Sequence, residues 1–161
     1  MKALDIMTPD PACCGPSDTV QRAAQLMAQN DCGAIPIVEN GESQRLIAVV
    51  TDRDLACRCL ADGKGPESSI SDVMSGDPSF VGPDVDVREV ERIMTARQVR
   101  RVPVVDEAGR CIGIIAQADL ARAAGGRGVS RRDVARVVER VSEPAPTSRR
   151  EKSTSPRPEA R

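Results

Sequence analysis

From Val20 the apolar positions recur as Val20, Ala23, Ala24 and Met27, the i, i+3, i+4, i+7 spacing that gives a helix one buried face. Two short β-branched runs follow, 35–38 and 46–50, joined through Glu39-Asn40-Gly41, whose glycine suits a tight turn. A second helix opens at Thr51–Asp54, and ahead of the first helix a short strand near Ala12–Cys14 is closed by Gly15-Pro16. The pattern predicts a β-α-β-β-α unit.

That unit then returns. With a shift of 67 residues, Asp5-Ile6-Met7-Thr8 falls on Asp72-Val73-Met74-Ser75, Gly15-Pro16 on Gly82-Pro83, and Ile35-Pro36-Ile37-Val38 on Val102-Pro103-Val104-Val105. After a two-residue insertion in the first copy, LIAVVTDRDL (46–55) falls on CIGIIAQADL (111–120) with a shift of 65. So many matches in one order define an internal tandem repeat. In the second copy the strand lies near Ser79–Val81, and Asp86 with Glu89 reads as a capping box that starts the helix. The strands are 102–105 and 111–115, the turn is Glu107-Ala108-Gly109, and the last helix opens at Gln117–Asp119.

One such unit is too small to bury its own apolar face. The expected fold is therefore α+β with mixed α-β order. Two tandem β-α-β-β-α repeats pack sheet to sheet about a pseudo-twofold axis, and two equivalent clefts lie between them. The boundaries expected are 1–66 and 67–125 for the repeats, 126–142 for a C-terminal amphipathic helix and 143–161 for a disordered tail. The helix is read from Val134, Val137, Val138 and Val141, with Arg127, Arg131, Arg132, Arg136 and Arg140 around them. A stripe of valine alone favours packing on the body or on a protein partner over a membrane surface. The tail, EPAPTSRREKSTSPRPEAR, is disordered by composition.

Composition narrows the chemistry. Only Phe80 is aromatic among 161 residues, so a bound base would lie among aliphatic side chains and could not stack on Trp or Tyr. The net charge of −1 divides into about −6 for 1–125 and +5 for the remainder. A specific nucleic-acid binder usually carries its basic stripe on the fold, so no such partner is expected. There is no histidine, which removes the commonest general base and metal ligand. No P-loop or dinucleotide glycine motif occurs, no Ser or Cys is paired with a base, and Asp52 and Asp54 diverge at i, i+2. The chain is expected to be no enzyme, with no catalytic residue and no metal site. No signal peptide or long apolar run is seen, so the expected location is cytoplasmic, with reduced thiols and no membrane partner.

The six cysteines include no C-x-x-C pair. Cys32 and Cys111 read as core filler, and Cys57 and Cys59 point in different directions on one helix. Cys13 and Cys14, near a strand start, are candidates for redox chemistry. Met7, Met27, Met74 and Met94 match between the copies and read as packing residues.

The D-I-M-T and D-V-M-S starts, the I-P-I-V and V-P-V-V strands, and the segments A-V-V-T-D-R-D (48–54) and G-I-I-A-Q-A-D (113–119) resemble the CBS (cystathionine β-synthase) domain. The pair over 1–125 resembles a Bateman module. TDRDL in the first copy and QVRRVPVVDE in the second make it most similar to small bacterial stand-alone CBS proteins of the hypoxic-response type. The resemblance implies a regulatory module with no required cofactor that binds AMP, ADP, ATP or S-adenosylmethionine. It also implies a homodimer forming a disc of four repeats, and an effector protein acted on in trans.

The family pattern G-h-h-T-x-x-D carries onto Thr51 and Asp54, which would hold phosphate and ribose. Arg53, or Arg100 and Arg101 from the other repeat, would meet phosphate oxygens. The base would lie among Cys14, Ala34, Ile35 and Pro36, or in the second cleft among Val81, Val102 and Pro103, where Asp119 is the remaining acid. The second copy departs from the pattern: Ala116 replaces Thr51 and Ala118 replaces Arg53. The first copy departs at Ala48, where Gly113 keeps the glycine and a methyl would narrow the ligand's approach. The Thr51/Asp54 cleft is thus expected to be the better one.

Other readings stand beside these. Thr51, Asp52 and Asp54 are also ordinary N-cap residues. Arg100-Arg101 could be solvated or paired with Asp106 or Glu107. A rival class is a stress-response scaffold that uses the dimer and the 126–142 helix for protein contacts, without a small ligand. A redox switch at Cys13, Cys14 or Cys32 is a third.

Overall fold

A computed structural model of the chain describes residues 1–125 and 128–144. The elements run β1 (Thr8–Pro9), α1 (Val20–Gln29), β2 (Ala34–Val38), β3 (Leu46–Thr51), α2 (Asp52–Asp54), β4 (Ser75–Gly76), α3 (Val87–Arg97), β5 (Arg101–Val105), β6 (Cys111–Ala116), α4 (Gln117–Ala123) and α5 (Arg131–Ser142). The repeat is carried into the backbone. Asp10 and Asp77, then Asp31 and Gln98, hold left-handed φ angles at matching places in the two copies.

The two sheets have three strands each, in the orders β2-β3-β4 and β1-β6-β5. Each repeat thus lends its leading strand to the other: β1 pairs antiparallel with β6, and β4 with β3. The segments expected as strands near Ala12–Cys14 and Ser79–Val81 shrink to one bridging residue each. The Cys14 N–H donates to Pro36 O at 3.1 Å, and Cys14 O accepts from Val38 N at 2.9 Å. Val81 repeats both bonds with Pro103 O and Val105 N. The strand pattern was displaced because the segment after Asp-Ile-Met is short and polar, and only its partner strand across the repeats makes it extended.

Gly109, at φ +80°, makes the expected tight turn of the second copy. In the first copy the loop is wider. Asn40 Oδ1 accepts from Glu42 N and Ser43 N at 3.0 and 2.7 Å, and the left-handed residue is Gln44 instead of Gly41. The extra two residues of that copy sit here.

Each repeat has its own core. Val20, Ala23, Leu26 and Met27 of α1 pack with Ile35, Ile37, Ala48, Val50 and Ile70; Val87, Val90 and Met94 of α3 pack with Val102, Val104, Ile115 and Leu120. Ala48 is fully buried in the first core, against which Met74 packs, so its methyl fills space there and does not line a cleft. At the matching Gly113 that space belongs to Met7, whose Sδ a Cβ would overlap.

Asp86 caps α3 by accepting from Arg88 N at 3.0 Å, as the sequence indicates. The reciprocal arm of the box is absent because Glu89 pairs with Arg92 one turn on. Ser130 caps α5, whose Val134, Val137 and Val141 are buried in the second repeat's core against α3 and α4. The C-terminal helix therefore packs on the body of its own chain. Arg127 and all of the tail beyond residue 144 lie outside the described residues.

One polar group is out of keeping with this core. Glu91 of α3 is 6% exposed and its Oε1 is buried with no hydrogen-bond partner. Burial pushes its carboxyl up, Asp133 of α5 adds to this, and Arg136 and Arg88 oppose it. The folded state thus holds this proton more tightly than the unfolded chain, so native stability falls as pH rises from the ordinary glutamate value through the folded one. Glu91→Gln is expected to be more stable than the wild type by about 1 kcal/mol at neutral pH, the gain vanishing near about pH 4. Urea denaturation at the two pH values measures this; a less stable variant at neutral pH would contradict it.

Candidate functional site

β3 ends at Thr51, and the next three residues turn straight into α2. Thr51 is the N-cap: its Oγ1 accepts from Asp54 N at 3.2 Å, while Asp54 Oδ2 accepts from Thr51 N at 2.9 Å and from Thr51 Oγ1 at 2.7 Å. This is a complete capping box with threonine and aspartate as its two arms. The helix then widens into a π-helical stretch, Leu55–Leu60. Its Arg58 reaches back to Asp54 Oδ1 at 3.4 Å and donates to Val73 O, Met74 O and Ser75 Oγ at 3.3, 3.3 and 3.0 Å. Arg58 thereby ties the aspartate to the segment that enters β4. Nothing in the repeat pattern marks it, because the second copy has alanine at the matching position.

The second repeat builds the same corner with fewer parts. Asp119 is buried, accepts from Ala116 N at 2.6 Å and pairs with Arg122. Ala116 supplies no hydroxyl to complete the box.

Gly33 was not among the expected site residues, yet it is where the repeats meet. Its carbonyl accepts from Asp52 N at 3.1 Å, as that of Arg100 accepts from Gln117 N at 2.9 Å in the other copy, so Gly33 and Arg100 are equivalent. A Cβ on Gly33 would lie 2.7 Å from Asp52 Oδ2 and 3.2 Å from Arg101 Nη2. Arg101, at the start of β5, thus crosses from the second repeat to the first and occupies space that only a glycine leaves open. The residue equivalent to Arg101 in the first repeat is Ala34, which sends no cation the other way. The signal for this was in the sequence: Gly33-Ala34 aligns with Arg100-Arg101.

The expected residues fall into three groups. Thr51 and Asp54 form the first corner, next to Ala34, which pairs with Thr51 across β2 and β3, and Arg101 lies over Gly33 on the Asp52 side of it. Arg53 and Arg100 are exposed. Cys14, Ile35, Val81 and Val102 have side chains buried in the two cores, and Pro36 and Pro103 are buried beside them. A ligand would meet that group mainly through backbone. Asp106 does not pair with Arg100 or Arg101. It pairs with Arg110 at 2.7 Å, and the Arg110 N–H and guanidinium hold its carboxyl below the usual range. Burial pushes the Cys14 thiol up to about 11, which removes it as a reactive thiol at neutral pH.

The CBS domain model matches residues 3–59 and again 70–126, and the chain belongs to that family. It is 39% identical over 117 residues to the CBS domain-containing protein YhcV of Bacillus subtilis, covering 73% of this chain and 81% of the relative. Hypoxic response protein 1 of Mycobacterium tuberculosis is 38% identical over 121 residues, 74% of this chain and 82% of that one. The crystal structure of Hypoxic Response Protein I with two coordinated zinc ions superposes with a TM-score of 0.69 at 36% identity, over 77% of this chain and 99% of that chain. The CBS domain pair of protein MJ0100, in complex with 5′-methylthioadenosine and S-adenosyl-L-methionine, gives 0.70 at 26% identity, over 79% and 98%. CBSX2 in complex with AMP gives 0.66 at 26%, over 76% and 94%. Among the described residues no group of three or more His, Cys, Asp or Glu is placed to hold a metal ion, and no helix is long and apolar enough to cross a membrane.

The corner at Thr51 contributes to stability whether or not a ligand sits on it. Asp54→Ala removes the carboxylate that accepts from Thr51 and Arg58, and should cost about 1–2 kcal/mol in ligand-free protein. Thr51→Ala recreates what the second repeat has naturally and should cost less, about 0.5–1 kcal/mol. Chemical denaturation of both variants checks the order; equal stability of Asp54→Ala and wild type would contradict it.

Proposed function

We propose that this chain is a non-catalytic regulatory module that binds an adenosine-containing nucleotide in the cleft between its repeats. The single observation that carries the reading is the Arg101 guanidinium of the second repeat held over Gly33 of the first, beside the Thr51–Asp54 corner. A cation, a hydroxyl and a fixed carboxylate within one inter-repeat corner suit phosphate and ribose together. Arg101 meets phosphate oxygens. Asp54 has further lone pairs for ribose hydroxyls beyond the bonds it already accepts. The nucleotide would be AMP, ADP, ATP or S-adenosylmethionine, bound as a regulatory ligand, with no cofactor required.

The second corner is the poorer one, since it lacks the hydroxyl at Ala116 and receives no cation from Ala34. Because both repeats hold the ligand, its binding favours one relative position of the repeats over another, and that preference is the signal. The module would act in the cytoplasm as a homodimer of four repeats and pass its state to an effector protein in trans. The scaffold reading finds less support, because Val134, Val137 and Val141 of α5 are buried in the chain's own core and only Val138 of the expected stripe is exposed.

Isothermal titration with AMP, ADP, ATP and S-adenosylmethionine tests the proposal. Saturable binding at about micromolar to sub-millimolar Kd is expected for at least one of them. Arg101→Ala, which leaves the capping box intact, should weaken it about tenfold or more. Absence of heat with all four ligands would overturn the nucleotide reading and leave the fold untouched.

A further inference from the structure

Two cysteines far apart in the sequence face one another. β1 runs antiparallel to β6 with Thr8 opposite Ile114 and Pro9 opposite Gly113, and Asp10 N donates to Ile112 O at 3.2 Å. The chain beyond Asp10 therefore continues alongside the start of β6. The register carries Pro11 towards Cys111; the half-buried Cys13 turns its Sγ back onto Pro11 O at 3.2 Å, the buried Cys111 donates to Gly113 O at 3.7 Å, and each thiol is close enough to shift the other's titration. Cys13 belongs to the first repeat and Cys111 to the second. We infer that Cys13 and Cys111 form an inter-repeat dithiol that oxidises to a disulfide and locks the exchanged strand β1 onto β6.

Several features suit the pair to this chemistry. The Cys13 thiol beside it holds Cys111 below its ordinary value, and this eases loss of the first proton there. Burial and the neighbouring sulfur hold the proton on Cys13. A small oxidant such as hydrogen peroxide can react with this arrangement in two steps. The Cys111 thiolate attacks one peroxide oxygen and breaks the O–O bond, giving a sulfenic acid and hydroxide. The Cys13 sulfur then attacks the Cys111 sulfur, the S–S bond forms, and the sulfenic hydroxyl leaves as water with the Cys13 proton. Two electrons pass from the sulfurs to the peroxide. The other cysteines lack such a partner among the described groups. Cys14 keeps its proton, Cys59 is fully buried, and Cys57 is exposed on the π-helical stretch.

The position gives the bond a consequence. Cys14, next to Cys13, is hydrogen-bonded to β2 of the first repeat, and Cys111 opens the strand that ends at Ala116, just ahead of Asp119 in α4 of the second. A link here ties the first repeat to the second and closes a long loop of chain, the geometry in which a cross-link restricts the unfolded state most.

The test is oxidation of the full chain with hydrogen peroxide, or separately with oxidised glutathione, followed by alkylation of the remaining thiols and non-reducing peptide mapping. The expected product is monomer-mass chain carrying a Cys13–Cys111 linked peptide, with four thiols still free. Its melting temperature should exceed that of the reduced chain by about 5 °C or more, reversed by reductant. Mapping the wild type does not depend on any variant folding. As a second arm, Cys57→Ser should retain the link and Cys111→Ser abolish it. Oxidation that yields only Cys57-linked dimers, a linked peptide from another pair, or no linkage before the chain unfolds would overturn the inference. None of these readouts involves a nucleotide, so the result stands apart from the binding proposal.

Discussion

The hydrogen bonds between β1 and β6 and between β3 and β4 join the two copies at the level of the backbone. Neither sheet is complete within its own repeat. A change in the relative position of the repeats must therefore act on strands that each has lent to the other. The two hairpins add to this coupling, with Leu46 N donating to Gly109 O and Cys111 N to Gln44 O. Everything proposed for function depends on this arrangement: a cleft shared by two repeats, an arginine that reaches across it, and a pair of thiols that could fasten it.

Tandem duplication would make the two clefts alike, and under the proposed function the differences between the copies decide which is used. At one position the first copy has lost its side chain and at the next the second has gained a guanidinium, so Gly33 admits Arg101 while Ala34 offers nothing in return. The same direction of change appears at the helix corner, where Thr51 completes a cap that Ala116 leaves half-made. The two departures act on one side of the molecule and reinforce each other. The chain keeps two folds of the same kind but concentrates polar recognition in one corner.

Much of this was legible because it rests on local periodicity. The helix faces, the β-branched pairs, the repeat shift and the Thr51–Asp54 cap are patterns of spacing that the structure realises, except that Ala24, read on the apolar face of α1, is exposed and Leu26 is buried in its stead. The exchanged strands were not legible. Thr8-Pro9 and Ser75-Gly76 are two residues each, too short to show a period, and their partners lie far away in sequence. Spacing does not mark Gly33, because a glycine announces only missing atoms. Its meaning depends on Arg101 from the other repeat. Arg58 has no counterpart in the second copy, where Ala123 stands, so the repeat does not mark it. Cys111 read as core filler, which its burial fits, but its closeness to Cys13 follows from strand exchange and from nothing in its neighbours.

The proposed recognition is asymmetric, with one competent corner per chain built from both repeats. The number of nucleotides bound per chain at saturation tests it most directly, measured by equilibrium dialysis with the ligand that binds most tightly in calorimetry. The account predicts one per chain in the wild type, and binding greatly weakened in Arg101→Ala. Two equivalent nucleotides per chain, or full affinity retained without Arg101, would contradict it.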